Sequence, residues 1–271
     1  MKIKYLFILI PLLAFQDHSF CQELSETQDT VYNQIDDMGR KQGPWRKYFQ
    51  NGKLRYKGQF ENDIAIGKFE HYYDDGNLKT ILLHMDKSNI SKVKHYYQNG
   101  EIAAEGEFTG NKKNGIWKYY SYYGAYLSYA ESYKEGEKHG VSKKYFMDGS
   151  VTQELSWKND NKEGAWKIWF PNGKLQLSTN FENGKLDGPF INYYPDGTEE
   201  IRGWYKNDLR IGKWQYTELG TGKIKEINYI DGMPENQEEI DKQFEEKMVE
   251  YEKNKGRLKD PDLNDVKIIK Q

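Results

Sequence analysis

The sequence predicts an all-β repeat protein: eight tandem hairpins of about 24 residues forming an elongated, twisted antiparallel sheet, with a C-terminal capping α-helix. Three observations carry that prediction. A glycine-led pattern returns every 24 or 25 residues, the sixth residue of each unit is aromatic in seven of eight, and six Asn/Asp-Gly pairs punctuate aromatic-rich runs. A fixed period of roughly 20–50 residues is the mark of stacked supersecondary units.

Residues 1–21 read as a secretory signal peptide. Lys2 and Lys4 precede an apolar run from Tyr5 to Phe15, followed by a short polar stretch, which is the layout of an export leader. The run is about half of the ~20 residues that a membrane-spanning helix needs. Ser19 and Cys21 supply the small residues of a cleavage site, leaving Gln22 as the mature N-terminus. A second reading makes Cys21 a lipidated lipoprotein cysteine, although His18, Ser19 and Phe20 depart from a lipobox; a third leaves the chain uncleaved in the cytosol. The expected location is exported: periplasmic, envelope-associated or secreted.

Composition fits thin β-structure. Cleavage removes the single cysteine, so neither disulfides nor a cysteine metal site hold the mature fold. A net charge of −2 removes the electrostatic argument for nucleic acid. Aromatics at 15% beside 30% charged residues argue against disorder, which is poor in rings.

Residues 22–42 form an N-terminal segment with a half-repeat strand, and residues 43–233 hold the eight repeats. Units start at Gly43, Gly67, Ser91, Gly115, Gly140, Gly164, Gly188 and Gly212. Taking each start as position 1, the turns are Asn51-Gly52, Asp75-Gly76, Asn99-Gly100, Asp148-Gly149, Asn172-Gly173 and Asp196-Gly197. Asn-Gly between aromatic runs predicts a two-residue type I′ hairpin, which needs φ > 0 at both central residues. Stretches such as "KNDNKEG" (158–164) are then polar connecting loops.

That turn sets a register of position 1 with 18, 3 with 16 and 7 with 12 on one face, called A. Position 3 holds Trp45, Phe69, Trp117, Trp166, Phe190 and Trp214, opposite Gly58, Leu82, Ala130, Thr179, Gly203 and Ile227. Position 18 is aromatic opposite the starting glycine, and a ring over a cross-strand glycine explains that glycine by packing. Face A is expected to close by rolling and twisting of the sheet, because a bare apolar patch of that length is unusual.

Face B carries the candidate binding ladder. Position 4 is basic at Arg46, Lys94, Lys118, Lys143 and Lys167, with Tyr48, Tyr72, Tyr96, Tyr120, Tyr145 and Trp169 beside them at position 6. Tyrosines stack on sugar rings while lysines meet phosphates, yet isolated Lys and Tyr are also ordinary solvated strand residues.

The pattern G-x-W-x-x-Y-[YF]-x-[ND]-G-x-[LI] resembles the MORN-repeat family in its bacterial variant form, over residues 31–232. "NQIDDMGRKQGPW" (33–45) is similar to the half-unit that opens such arrays. Departures are local: Ser91 and Val93 in unit three, Ser142 for Trp in unit five, and Thr217 with "ELGTG" in unit eight. The resemblance implies stacked hairpins and a binding or scaffolding role. Some relatives carry an antitoxin label, which conflicts with an export leader.

Residues 234–256 predict a helix. Ile240, Phe244, Met248 and Tyr251 make one apolar stripe, Pro234 opens the segment and Gly256 ends it. Its expected role is a cap over the last hairpin's edge and face A; docking a partner is the sharper alternative. Residues 257–271 read as a tail, with "VKIIK" as a candidate edge strand.

Catalytic motifs are missing from the sequence: it holds no HExxH, GxSxG, phosphate-binding loop or dinucleotide fingerprint. His71 and His95 share one unit position, but strands two apart lie about 10 Å from each other, too far for a shared metal. "NDNKEG" (159–164) lacks an EF-hand register. The expectation is a non-enzymatic protein without cofactors that docks a protein partner in the envelope. The alternatives are anionic lipid or envelope glycan on face B, and an antitoxin role. The oligomeric state is not legible.

Overall fold

The computed structural model describes residues 31–85 and 88–255. The Cys21–Gln22 cleavage site and the tail at 257–271 lie outside the described residues. Twenty strand segments, from Gln34–Ile35 to Met233–Pro234, form one antiparallel sheet. Each pairs with its sequence neighbour: Lys41–Tyr48 with Leu54–Glu61, that strand with Ile64–Tyr72, and so on to Leu209–Thr217 with Ile224–Ile230. Among the described residues, no pairing joins the first strands to the last. The sheet is an open, twisted ribbon and does not close into a barrel.

The two ends of each hairpin exchange the roles expected of them. At the Asn/Asp-Gly turns only the glycines (Gly52, Gly76, Gly100, Gly149, Gly173, Gly197) have positive φ, between 79° and 94°. Phe49 N–H donates to Lys53 O at 2.8 Å and Gly52 N–H to Phe49 O at 3.0 Å, closing a three-residue loop with a glycine bulge. The extra residue moves the register, so that Tyr48 pairs with Leu54, and Tyr72 with Leu78, in place of position 7 with 12. Asn51 is needed for its side chain: Oδ1 accepts from Lys53 N–H at 3.0 Å, and Nδ2 donates to Asp74 O of the next unit at 2.9 Å. Asn172 repeats this with Lys174 and Pro195.

The type I′ signature lies at the other end. In "KNDNKEG", Lys158 pairs with Asn161 across Asn159 (φ 50°) and Asp160 (φ 63°). Asn62-Asp63 and Asn207-Asp208 are built alike. These stretches are tight turns between continuous strands, not loops. Their aspartates also stitch units together: Asp63 Oδ1 accepts from Lys41 N–H at 2.9 Å and Asp160 Oδ1 from Lys138 N–H at 2.8 Å.

The starting glycines have a backbone reason. Their φ values run from 62° to 108°, at a bulge where the register jumps, for example from Lys57↔Glu70 to Gln59↔Ile66. A Cβ at Gly43, Gly67, Gly115 or Gly212 would meet nothing within 4 Å, so no ring covers them as expected. The glycines that rings do cover are those at position 16. A Cβ would sit 2.4 Å from Phe69 at Gly58, 2.4 Å from Trp117 at Gly106 and 2.2 Å from Trp214 at Gly203. Each ring lies on the preceding unit's return strand, so the slot is made between units and not within one hairpin.

Unit four carries the 25-residue step in its turn, Ser121 to Tyr126. Trp117 therefore pairs with Glu131, while Ala130 pairs with Lys118. A one-residue shift exchanges faces, so Glu131 stands on face A where Ala130 was expected. Otherwise the core is face A itself: Phe69, Val93, Trp117, Leu155, Leu177, Phe181, Trp214 and Tyr229 are buried there.

The helix Gln237–Asn254 forms, with Glu238 and Glu239 in its first turn and Lys253 in its last, as the macrodipole favours. It does not cap the sheet. Phe244, Met248 and Tyr251 are exposed, Phe244 at 63%. The last edge is occupied instead by Met233–Pro234, paired with Tyr229 and Ile230.

Candidate functional site

Position-4 cations of face B stand next to position-15 residues of their own and neighbouring units, and carboxylates occupy several of those places. Lys143 pairs with Glu154 at 2.8 Å. Glu105 lies between Lys94 at 3.8 Å and Lys118 at 3.4 Å, and accepts from the Tyr120 hydroxyl at 2.9 Å. In unit two the order is reversed: Glu70 itself holds position 4, with Lys57 Nζ at 2.7 Å, Lys68 in contact and the Tyr72 hydroxyl donating at 2.9 Å. Burial works to raise the Glu70 pKa, but the hydrogen bonds from Lys57, Lys68 and Tyr72 outweigh it and hold it at about 2. Arg46 stacks on Tyr32, 3.8 Å from the ring centroid.

The aromatic rail is less open than the sequence suggests. Tyr48, Tyr72, Tyr96, Tyr120, Tyr145 and Trp169 stand opposite Leu54, Leu78, Ile102, Leu127, Val151 and Leu175. Tyr48 is exposed; Tyr72, Tyr96, Tyr120, Tyr145 and Trp169 are half-buried, and Lys167 projects into solvent. The structure thus brings the ladder residues onto one face, but as Lys–Glu–Lys pairs and half-covered rings. Exposed pairs of this kind add little stability; their consequence is a neutralised surface.

Sequence reasoning missed a second set of cations, on face A. The residue two before the starting glycine covers a ring: Lys41 Nζ lies 5.1 Å from Trp45, Lys113 4.5 Å from Trp117, Lys138 4.8 Å from Trp157, Lys162 4.8 Å from Phe181 and the Arg210 guanidinium 4.7 Å from Trp214. Their aliphatic stems close the apolar face while the charge meets the ring quadrupole. The column of basic residues was visible in the alignment of units.

Also missed was an aromatic knuckle. Where six other units turn with Asx-Gly, unit four has Tyr122-Tyr123-Gly124-Ala125. Tyr123 is 82% exposed, its ring centroid 5.1 Å from Tyr122, which packs edge-on against Tyr97 at 5.1 Å. Tyr97 is fixed in turn by its hydroxyl, which donates to Tyr120 O at 2.7 Å.

Histidines stay ordinary. His95 Nδ1 meets Thr80 Oγ1 at 2.9 Å, His84 Nδ1 meets Ser91 Oγ at 2.9 Å, and burial lowers the pKa of His71, His84 and His95. Among the described residues, no group of three or more His, Cys, Asp or Glu could hold a metal.

A family model described as a MORN repeat variant matches residues 41–62, 66–85, 91–109 and 162–185. All four segments carry the slot residue and the Asx-Gly turn just described, and three carry the bulge glycine, which is Ser91 in the segment 91–109. The chain carries MORN repeats of this variant type in those four segments. MORN repeats make a repeat-based binding scaffold, and the observed all-β sheet fits that class. No curated protein matches the chain. Among solved structures it is similar to a GtfA/B complex at 12% identity and TM-score 0.25, covering 33% of this chain and 18% of that one. It is also similar to the pore of a Photorhabdus luminescens Tc holotoxin (13%, TM-score 0.23, 75% and 13%) and to the TcdB2-TccC3-TEV structure (12%, TM-score 0.18, 74% and 15%). This MORN-repeat chain spans less than a fifth of each of those proteins, and at such scores the likenesses carry no argument.

Proposed function

We propose that this MORN-repeat protein is an exported, non-enzymatic scaffold that docks a protein partner in the cell envelope. The supporting observation is the Tyr122-Tyr123 knuckle: two rings projecting from the turn row, held from beneath by Tyr97. Large, preorganised aromatic anchors are the residues that carry protein interfaces. Export rests on the Lys2/Lys4 and Tyr5–Phe15 leader. The neutralised pairing of Lys94, Lys118 and Lys143 weighs against anionic lipid as the ligand of face B, since headgroups would have to displace Glu105 and Glu154.

The test is crosslinking in the native host with a photoreactive residue at Tyr123. A discrete protein adduct that disappears with Tyr122→Ser supports the scaffold reading. An adduct-free chain that instead floats with anionic vesicles would replace it with lipid binding.

A further inference from the structure

The histidines form no metal cluster, yet two of them share a cavity with cations that nothing pairs. His71 and His95 both stand directly across from Thr80, one on each side, and Thr80 is buried between them. Strands two apart put the two residues about 10 Å from each other. That gap is too wide for one metal and leaves room for a tetrahedral anion held from both sides. With Arg55, Lys79, Phe49 and Leu82 they line a cavity of about 400 Å³.

Arg55 and Lys79 reach that cavity because each stands at a bulge. Arg55 is skipped between the pairs Tyr48↔Leu54 and Lys47↔Tyr56, and Lys79 between Tyr72↔Leu78 and His71↔Thr80. A bulge re-aims the side chain of its extra residue. In later units the same skipped place holds Ala103, Ser128, Thr152, Gln176 and Glu200, so basic bulge residues occur only beside these histidines. Lys47 and Lys144 share the histidines' unit position but lie outside the cavity.

Other cations of face A have polar partners: Lys113 donates to Tyr119, Lys138 pairs with Glu131, and Arg210 donates to Tyr216 and Tyr229. Arg55 rests 5.8 Å from the Phe49 centroid and Lys79 5.2 Å from that of Tyr73. Among the described residues, neither donates a hydrogen bond or forms an ion pair. No carboxylate lines the cavity; Glu70 and Glu105 of neighbouring strands are engaged on face B, and Asp75 in the adjoining turn is held by Asn77 and Gln98. Burial is the main cause lowering the pKa of both imidazoles, and every charge that adds to it is positive. At His71 these are Lys79, Arg55 and His84; at His95 they are Lys113, Lys79 and His71.

We propose that this cavity binds an organic phosphate monoester, with Arg55 and Lys79 on its oxygens, His71 and His95 donating from either side, and Phe49 and Leu82 against its carbon body. A phosphoryl dianion presents three strong acceptor oxygens, enough to engage a guanidinium fork, an ammonium and two imidazoles together. A lone carboxylate brings half that charge, and free phosphate makes no use of the apolar wall. The site goes beyond the scaffold reading and uses no residue of the Tyr122-Tyr123 knuckle, so either can fail alone.

The experiment is titration of the mature chain with phenyl phosphate, followed through the histidine ring resonances by NMR. Those of His71 and His95 are expected to shift together, while that of His139, in a connecting turn, stays still. Inorganic phosphate should bind at least about tenfold more weakly than the phenyl ester. Arg55→Gln and Lys79→Gln, both at exposed positions and checked for folding by circular dichroism, should each weaken phenyl phosphate by about tenfold or more, as loss of a charge-assisted hydrogen bond does. Lys185→Gln, on a distant exposed strand, should leave binding unchanged. Phosphatidic acid vesicles carry the same group on a surface: flotation lost with Arg55→Gln makes the source a lipid headgroup, and no flotation makes it a soluble ester. Resonances of His71 and His95 that do not move, equal binding of inorganic phosphate, or an equal loss with Lys185→Gln would each overturn the proposal.

Discussion

Two slots on face A hold the same place in the repeat and are filled in opposite ways. Between units seven and eight, Trp214 lies flat on Gly203 and is 0% exposed. Tyr205 meets it edge-on at 5.1 Å, Tyr229 at 5.9 Å, and Arg210 closes the top at 4.7 Å. Between units four and five the ring is replaced by Ser142 and the glycine by Glu131. Glu131 is 6% exposed and accepts from Tyr129 at 2.8 Å, Tyr133 at 2.5 Å and Lys138 at 2.6 Å. Large on small becomes small on large. A slot needs conserved volume more than it needs a tryptophan.

The largest expected break is in the aromatic slot. Trp214→Ala should cost about 3–5 kcal/mol, read from urea unfolding. Gly203→Ala approaches the same slot from below and should cost about 1–3 kcal/mol, because its Cβ would meet the Trp214 ring at 2.2 Å. Its outcome separates close approach from simple burial: a neutral result would mean that the ring lifts freely.

In the polar slot, Glu131→Ala leaves Lys138 and two phenols without their acceptor and should cost about 2–3 kcal/mol. Burial works to raise the Glu131 pKa, while Lys138, Tyr133 and Tyr129 outweigh it and lower it below 4.5. Its stabilising contribution is therefore complete above pH 4.5 and is lost as the pH falls through the lowered value. Converting this slot to the other type sharpens the comparison. Glu131→Gly with Ser142→Trp should be more stable than either single variant, with a coupling of about 1 kcal/mol or more.

A smaller difference distinguishes the N-terminal units. Burial lowers the pKa of His71, His84 and His95 from 6.5, so the unfolded chain binds protons first. Stability of units two and three should decline as the pH drops below 6.5, while the slot at Trp214, which contains no histidine, should be unaffected over that range. Amide exchange at two pH values, corrected for the intrinsic rate, checks this. Asn51→Ala should be the mildest change, about 1 kcal/mol, through loss of the stitch to Asp74.

Period, strand content and the sidedness of the sheet were legible because glycine, ring and turn residues recur at fixed offsets. The meaning of the glycines was not. Gly43 reads equally as a cover site or as a bulge, and only φ tells them apart. Asn51-Gly52 matches a type I′ signal by composition, whereas positive φ at both places is found in the other row of turns, at Asn183-Gly184 and Asp231-Gly232 but also at Asn159-Asp160, which lacks a glycine altogether. A single inserted residue in unit four moved every later partner on that strand, which is why Ala130 was placed where Glu131 belongs. The Lys/Tyr ladder was legible as positions, but its neutralisation depended on carboxylates from neighbouring strands.

The central claim is that each slot joins only adjacent units, so that stability along the array is nearest-neighbour. Native-state hydrogen exchange on Trp214→Ala tests it most directly. Protection should fall in units seven and eight and remain unchanged in units one to four. A uniform loss of protection along the whole sheet would contradict the account and make the array a single cooperative body.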